Sequence, residues 1–235
     1  MLMAMNNGER LHQALNNYFS LQQHQANADF RETLRALQQW QIERLFMSHH
    51  SLLQQTAAQH AAEFLFYQVY GGANLTPVAN DIQRATNKAM ALLPQAVMHA
   101  AAVTLEAAVL TQQLDEALAQ ALQGHAVTAD TYTNAYRQHS TPEQRQQQLT
   151  LIEEAATLID RYVRRRLLIG SFKIMRRPAY AAKLNHLYDF LDEGFIALGG
   201  LASVTPLIKQ LTYVESQISE RVFNAHPNPF DGVTP

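Results

Sequence analysis

The chain has 235 residues and 47% hydrophobic composition, enough to bury a core without disulfides or metal ions as staples. It contains no cysteine, which excludes disulfides, thiolate metal sites and a cysteine nucleophile, and is typical of a reducing compartment. The net charge is −2, but residues 161–177 contribute +7, so the remainder carries −9. Such an acidic remainder argues against general nucleic-acid binding and leaves room for one local contact with an anionic partner.

The sequence predicts no membrane crossing and no secretory signal. Only five mostly apolar residues precede Asn6, too few for the hydrophobic region of a signal peptide. The longest weakly polar stretch, residues 94–110, carries His99 and Glu106, so it predicts a buried helix and not a membrane span. We therefore expect a cytoplasmic protein.

Apolar residues recur at spacings of three and four along the chain, and period-two alternation is scarce, which predicts an all-α fold with no significant sheet. The predicted helices span 9–25, 29–53, 56–70, 77–92, 95–123, 129–138, 142–176, 179–198 and 206–224. They predict one compact bundle of about eight or nine helices over residues 1–225, with a hinge at 124–128 between two halves as the alternative. Residues 226–235 hold three prolines and no helical period, which predicts an extended or disordered tail.

Three Thr-Pro pairs, at Thr76, Thr141 and Thr205, predict helix starts. In each, the hydroxyl can cap the helix, and proline at the first helical position loses only an N–H that has no helical partner there. Gln144, three residues after Thr141, would complete a capping box.

Two segments carry a resemblance to a known family: EFLFYQVYGGANLTPVANDIQRA (63–85) and RYVRRRLLIGSFKIMRRPAYAAKLNHLYDFLDEGFIALGGL (161–201). They resemble the FFLEELY-motif family of bacterial proteins in the order and spacing of their motifs, and the similarity covers about residues 28–220. The matching positions are Phe64, Tyr70, Gly71, Asp81, Arg84, Arg165, Leu167, Leu168, Arg176, Pro178, Ala179, Phe190, Leu191, Gly194 and Phe195.

The resemblance implies a helical fold and no mechanism, because the family is uncharacterised. Two positions depart from its pattern. Tyr67 and Gln68 stand where the family's motif has a carboxylate pair, and Ala79 replaces the first aspartate of its next helix. A catalytic or metal centre that used those carboxylates would be missing from this chain.

The basic stretch RYVRRRLLIGSFKIMRR (161–177) is the strongest candidate for a binding surface. On a helical wheel, Leu167, Leu168, Ile169, Phe172, Ile174 and Met175 form an apolar arc that predicts burial. Arg165 and Arg176 lie at one margin of this arc, and Arg166, Lys173 and Arg177 lie on the side opposite to it. Three interpretations follow: arginine stems that cover the core edge and pair with the chain's own acids, contact with anionic lipid, or contact with an acidic or phosphorylated partner, RNA included.

A second candidate is an apolar pocket. Phe64, Tyr67 and Tyr70 lie three residues apart on one predicted helix, where core packing explains them first and a hydrophobic ligand cavity is the alternative. His99 is the histidine expected to be substantially buried, and Glu106 lies seven residues later on the same face. A buried Glu106 carboxylate would need to pair with a cation, and we expect Arg84 or Lys88 on the preceding helix to be that cation.

Asp81 and Arg84 are three residues apart and predict a structural ion network. Two histidine–acid pairs, at 60/63 and 186/189, occur at about the frequency expected by chance, so we predict no metal site and no cofactor. Phosphate-binding loops, nucleophile elbows and the HExxH pattern are absent from the sequence.

These patterns favour a non-enzymatic helical binding protein that uses the basic face at 161–177 for an anionic surface or partner. A helical enzyme or small-ligand carrier with a cavity near His99 and Glu106 is one alternative. An obligate homodimer that uses the apolar part of 167–175 is another.

Overall fold

The computed structural model of the protein describes residues 5–24, 28–70, 75–89, 95–163 and 172–233. Those residues form helices joined by turns, with no strand among them, which confirms the predicted all-α bundle.

The order of the helices follows the predicted order. The first half contains α1 (Asn7–His24), α2 (Ala28–Ser48), a 3-10 turn (Leu52–Gln54), α3 (Thr56–Glu63), a π-helix (Phe64–Tyr70) that continues α3, α4 (Thr76–Ala89) and α5 (Gln95–Ala121). The second half contains α6 (Ala129–His139), α7 (Pro142–Val163), α8 (Arg176–Ala181), α9 (Asn185–Leu198) and α10 (Val204–Phe223).

The central element is α5, whose 27 residues span about 40 Å. Alanine, leucine and valine occupy so much of its surface that it is buried on several sides, as expected for a helix that is apolar all round. It contacts α1, α2, α6 and α7, while α10 packs on α7 and α9 packs on α3 and α4. Two of the three core clusters include residues of α5, and the third lies between α2, α3, α7, α9 and α10.

Some helix starts are capped by neighbouring residues in the chain, and others are capped by a residue of a different helix. At Thr141 the predicted capping box is confirmed: the Thr141 N–H donates to Gln144 Oε1 (3.0 Å), and the Gln144 N–H donates to Thr141 Oγ1 (3.3 Å). The predicted cap at Thr205 is wrong, because α10 begins at Val204. There Asp160 of α7 accepts the Val204 N–H at 2.9 Å, so a carboxylate of another helix fulfils the capping role.

The predicted helices at 142–176 and 179–198 differ from the structure. Helix α7 is described as far as Val163, a turn at Met175 separates residues 172–174 from α8, and α8 and α9 are separate helices. Lys183 adopts a φ of 61°, a left-handed conformation that ends α8. Pro178 explains the turn at Met175, because it cannot donate to the carbonyl of Ile174 and its ring crowds that carbonyl.

The tail also differs from the prediction. Residues 224–232 form turns that return to the bundle, and Val233 is only 8% exposed. The ring of Phe230 lies edge-on to Trp40, with centroids 5.8 Å apart, and 6.2 Å from Tyr132. Burial of aromatic surface offsets the entropy lost on ordering the tail.

Candidate functional site

Residues 172–177 form an exposed surface that is both basic and apolar, built from Lys173, Ile174, Met175, Arg176 and Arg177; we call it the basic–apolar surface. The ring of Phe172 fixes it to α9, since that ring stacks on Tyr188 at 4.4 Å and meets Phe195 edge-on at 5.0 Å. Of the other cations predicted for this contact, Arg165 and Arg166 lie outside the described residues.

The apolar members of this surface face solvent. Ile174 is 78% exposed and Met175 is 53% exposed, so their predicted burial is wrong. The helical wheel assumed one continuous helix, and the turn at Met175 breaks it. The result is two aliphatic side chains that stand among three cations.

The cations differ in their partners. Arg176 lies over the ring of Tyr180 at 5.6 Å, and the Tyr180 hydroxyl donates to Asp189 at 2.7 Å. The hydrogen bond with Tyr180 raises the pKa of Arg176. Lys173 and Arg177 form no ion pair with any carboxylate in the described part of the chain. Of the three interpretations, pairing with the chain's own acids therefore applies in part to Arg176. It does not apply to Lys173 or Arg177.

Asp81 and Arg84, predicted as a structural ion network, lie 3.6 Å apart on α4. Asp81 is 1% exposed and accepts the Leu187 N–H in the first turn of α9 at 3.1 Å. Arg84 donates to the Lys183 carbonyl at 2.8 Å, in the turn between α8 and α9. The network thus fixes to α4 the turn between α8 and α9, which follows the basic–apolar surface in the chain.

The three aromatic residues of the predicted pocket have different surroundings. Phe64 contacts Phe190 of α9 at 5.5 Å, whereas Tyr67 is 46% exposed beside Phe46. Burial raises the pKa of Tyr70 well above its usual value, and the charge of Asp115 raises it further. These residues form a π-helix, whose i→i+5 hydrogen bonds widen the turn, so residues three apart no longer share one side.

His99 and Glu106 are also placed apart from those aromatics. The His99 side chain is 31% exposed, with Nε2 3.5 Å from Glu154 of α7, so the expectation of substantial burial is wrong. Glu106 pairs with Arg10 of α1 through two contacts of 2.6 and 2.5 Å. Arg84, one of the two expected partners, contacts Asp81 and the Lys183 carbonyl instead, and the side chain of Lys88 lies outside the described residues. The five predicted pocket residues do not converge.

Two surface clefts occur elsewhere. One, of about 470 Å³, is lined by Thr157, Asp160, Arg161, Ser203, Thr205, Pro206 and Lys209. The Asp160 carboxylate already occupies the N-terminus of α10 there, which disfavours a bound anion. The other, of about 660 Å³, follows α1 and is lined by Asn6, Gly8, Glu9, His12, Gln13, Asn16 and Asn17.

Sequence reasoning missed a buried polar layer across the middle of the bundle. Its members lie on the apolar stripes of α2, α5 and α7 or close after them, and each is less than 9% exposed: Gln41, Arg44, His49, Thr111, Asp115, Arg145 and Gln148. The signal was present in the sequence. Polar residues continue the three–four spacing of Leu34 and Leu37 in α2, and Asp115 interrupts the stripe of α5 that leads to Leu118.

One part of this layer is an ion cluster between α2 and α10. Arg44 Nη1 and His49 Nε2 both contact Oε1 of Glu215, at 2.5 and 2.8 Å. Burial alone would raise the pKa of Glu215, but the charge of Arg44 and the hydrogen bond of His49 lower it to about 2. This carboxylate therefore stays ionised and holds α10 against α2.

Arg145 forms the second part, where α7 meets α5. Its guanidinium lies 4.0 Å over the ring of Tyr136, and it donates to Ser140 Oγ at 3.1 Å and to Gln148 Oε1 at 3.2 Å. Gln148 in turn donates to Thr111 of α5 at 2.9 Å. The cation is thus held by neutral groups, and its Nη2 is buried with no hydrogen-bond partner.

Two classes of site have no support among the described residues. No group of three or more His, Asp or Glu side chains there is arranged to hold a metal ion. No helix of the described ranges is long and apolar enough to cross a membrane.

A family model matches residues 20–229, and the chain therefore belongs to the family described as "Domain of unknown function (DUF8198)". No curated protein and no solved structure matches the chain. The match agrees with the expected membership of an uncharacterised family and assigns no activity.

Proposed function

We propose that this is a non-enzymatic, cytoplasmic binding protein whose basic–apolar surface docks on an anionic lipid bilayer. One observation carries the proposal: Ile174 and Met175 are exposed directly beside Lys173, Arg176 and Arg177. Cations attract anionic headgroups, and aliphatic side chains gain free energy only where they leave water. The two together match a membrane interface.

The same observation favours lipid over the other anionic partners. Single-stranded nucleic acid is held largely by bases stacked on aromatic rings, but Phe172, the aromatic residue of this segment, is already stacked on Tyr188. An acidic peptide would satisfy the cations and leave Ile174 in water. A bilayer satisfies both kinds of side chain.

The expected affinity is modest. Each Lys or Arg near an anionic surface contributes about 1 kcal/mol, or about 3 kcal/mol for Lys173, Arg176 and Arg177 together. Partial burial of Ile174 and Met175 adds about 1 to 3 kcal/mol, since a fully buried aliphatic side chain contributes about 1.5 to 3 kcal/mol. Binding should be reversible, comparable to that of one acyl chain, and sensitive to salt.

The other two functions have weaker support. A ligand cavity near His99 and Glu106 would need side chains that converge, and those residues face Glu154 and Arg10 instead. A homodimer through residues 167–175 would also cover Ile174 and Met175, but it would bring like charges together. The likeness to the bacterial FFLEELY-motif proteins is likewise a proposal, and it adds no activity.

Co-sedimentation with vesicles tests the proposal. Vesicles of phosphatidylcholine with phosphatidylserine should bind the chain, and phosphatidylcholine alone should not. Lys173→Glu/Arg177→Glu should lower binding by at least about 30-fold, since removing two cations alone costs about 2 kcal/mol. Arg31→Glu/Arg35→Glu, which reverses two exposed arginines of α2, is the matched control. Equal binding by both variants, or binding that ignores lipid charge, contradicts the proposal.

A further inference from the structure

Asp115 of α5 and Gln41 of α2 form a buried pair that is incomplete in one respect. They are 0% and 1% exposed, and Gln41 Nε2 donates to Asp115 Oδ1 at 3.1 Å. The other oxygen of each group, Asp115 Oδ2 and Gln41 Oε1, is also buried and has no hydrogen-bond partner. Both are acceptors, so an ionised Asp115 leaves both unsatisfied.

Buried oxygens without a partner are rare in folded proteins and costly. One added proton would give both Asp115 Oδ2 and Gln41 Oε1 a hydrogen-bond partner. On Asp115 Oδ2 it creates an O–H donor, and the nearby acceptor that lacks a donor is Gln41 Oε1. A carboxylic acid and an amide then exchange two hydrogen bonds, N–H to one oxygen and O–H to the other.

Some groups around Asp115 raise the pKa of its carboxyl and others lower it. The groups that act on Asp115 are Gln41 and Gln38 on α2, Arg145 on α7 and Glu116 on α5 itself. Asp115 in turn acts on Tyr70 of the π-helix, which Tyr132 on α6 and Arg44 on α2 also influence. Arg145 and the two amides favour the ionised form, and Arg44 is already paired with Glu215. Burial is the largest effect, and it raises the pKa of Asp115 to about 6.

We propose that Asp115 is a proton-binding site in the core of the bundle, and that its protonation joins α5 to α2 through a two-point acid–amide contact with Gln41. Loss of the proton leaves a buried carboxylate that the charge of Arg145 favours, and Arg145 Nη2 is itself buried without a hydrogen-bond partner. The contact between α2 and α5 therefore weakens as the surroundings turn from mildly acidic to neutral. This inference is independent of the membrane proposal, because the pair lies inside the bundle.

The sign of the effect follows from linkage. The folded chain holds this proton more tightly than the unfolded chain, whose carboxyl has a pKa of 3.8. Stability from Asp115 is therefore greatest at low pH and falls as pH rises from about 4 to about 6. The folded-to-unfolded ratio should fall about 100-fold across that range through this group alone.

Asp115→Asn provides the test, because asparagine has the shape of the protonated acid and its amide can donate to Gln41 Oε1. The ratio of unfolding constants between wild type and Asp115→Asn should change about 100-fold between about pH 4 and pH 7, with the variant the more stable at neutral pH. Glu220→Gln, at an exposed position on α10, is the control for loss of an ordinary carboxylate. As wild type is titrated, its infrared protonated-carboxyl band should contain a component with a midpoint near pH 6, above that of ordinary carboxyls, and this component should be absent from Asp115→Asn.

Two results would overturn the proposal. One is an Asp115→Asn chain that is less stable than wild type at neutral pH, which would make the ionised carboxylate a necessary partner of Arg145. The other is a wild-type infrared titration with no protonated-carboxyl component whose midpoint lies near pH 6. The infrared measurement uses folded protein, so it decides the question even if the variant folds poorly.

Discussion

Replacing Glu215 with glutamine should weaken the contact between α10 and α2 and destabilise the folded chain. The carboxylate is the shared acceptor of Arg44 and His49, whose side chains are 7% and 0% exposed. Its pKa is lowered from 4.5 to about 2, and that difference, at 1.36 kcal/mol per pH unit, corresponds to about 3 kcal/mol. Glutamine removes the charge and leaves two buried groups without it, a change that typically costs about 3 to 5 kcal/mol.

Urea unfolding followed by Trp40 fluorescence, the signal of the single tryptophan, measures this loss. At neutral pH, Glu215→Gln should be less stable by about 3 kcal/mol, while Glu220→Gln, at an exposed position of the same helix, should stay within about 0.5 kcal/mol of wild type. Because the folded pKa is depressed, the contribution is present above about pH 4.5 and is lost as pH falls toward about 2. The difference between wild type and Glu215→Gln should shrink over the same range. Equal stability of the two variants at neutral pH would refute the assigned role of the ion cluster.

Two further predictions concern packing. A Cβ at Gly194 would lie 3.1 Å from Phe64 Cζ, so Gly194→Ala should cost about 1 kcal/mol in wild type but stabilise a Phe64→Leu background by about 0.5 kcal/mol, where helix propensity alone remains. The same sign in both backgrounds would show that the ring does not constrain this glycine. Phe230→Ala should shift Trp40 emission to the red and lower stability by about 1 to 2 kcal/mol, because the tail then no longer covers the indole. Unchanged emission would contradict the docked tail, and Phe230→Leu should give an intermediate result.

Local chemistry made most of the fold predictable. The three–four spacing of apolar residues gave the order and type of the helices, and the capping box at Thr141 involves residues only three apart. The cap of α10 could not be found in the same way, because its carboxylate, Asp160, lies 43 residues upstream of Ser203. Contacts between residues so far apart in the chain depend on how the helices pack. Nothing in the local sequence around either residue indicates which residue it contacts.

The candidate site shows a similar division. The cations at 173, 176 and 177 were identified from charge alone, but the exposure of Ile174 depended on the break at Met175. Pro178 was a readable signal for that break, since proline disfavours helix four residues upstream. The π-helix at 64–70 gave no comparable signal, because its residues fit an ordinary α-helix equally well.

The buried polar layer was missed for a different reason. Gln41 and Arg44 continue the three–four spacing of Leu34 and Leu37, but their helix also carries many exposed glutamines and arginines, so composition does not separate the buried set from the exposed one. Their partners lie on other helices. Asp115 carries a clearer signal, since a carboxylate on the apolar stripe of α5 indicates a buried charge that requires a partner.

The proposed membrane contact is tested most directly at Ile174 itself. The chain has no cysteine, so Ile174→Cys and Met47→Cys each give one site for a polarity-sensitive fluorophore, the second at an exposed position on α2. Vesicles that contain phosphatidylserine should shift the emission of the label at 174 to the blue, leave the label at 47 unchanged, and lose the effect at high salt. Equal spectra at 174 with and without anionic vesicles, or equal shifts at both positions, would contradict docking through the basic–apolar surface.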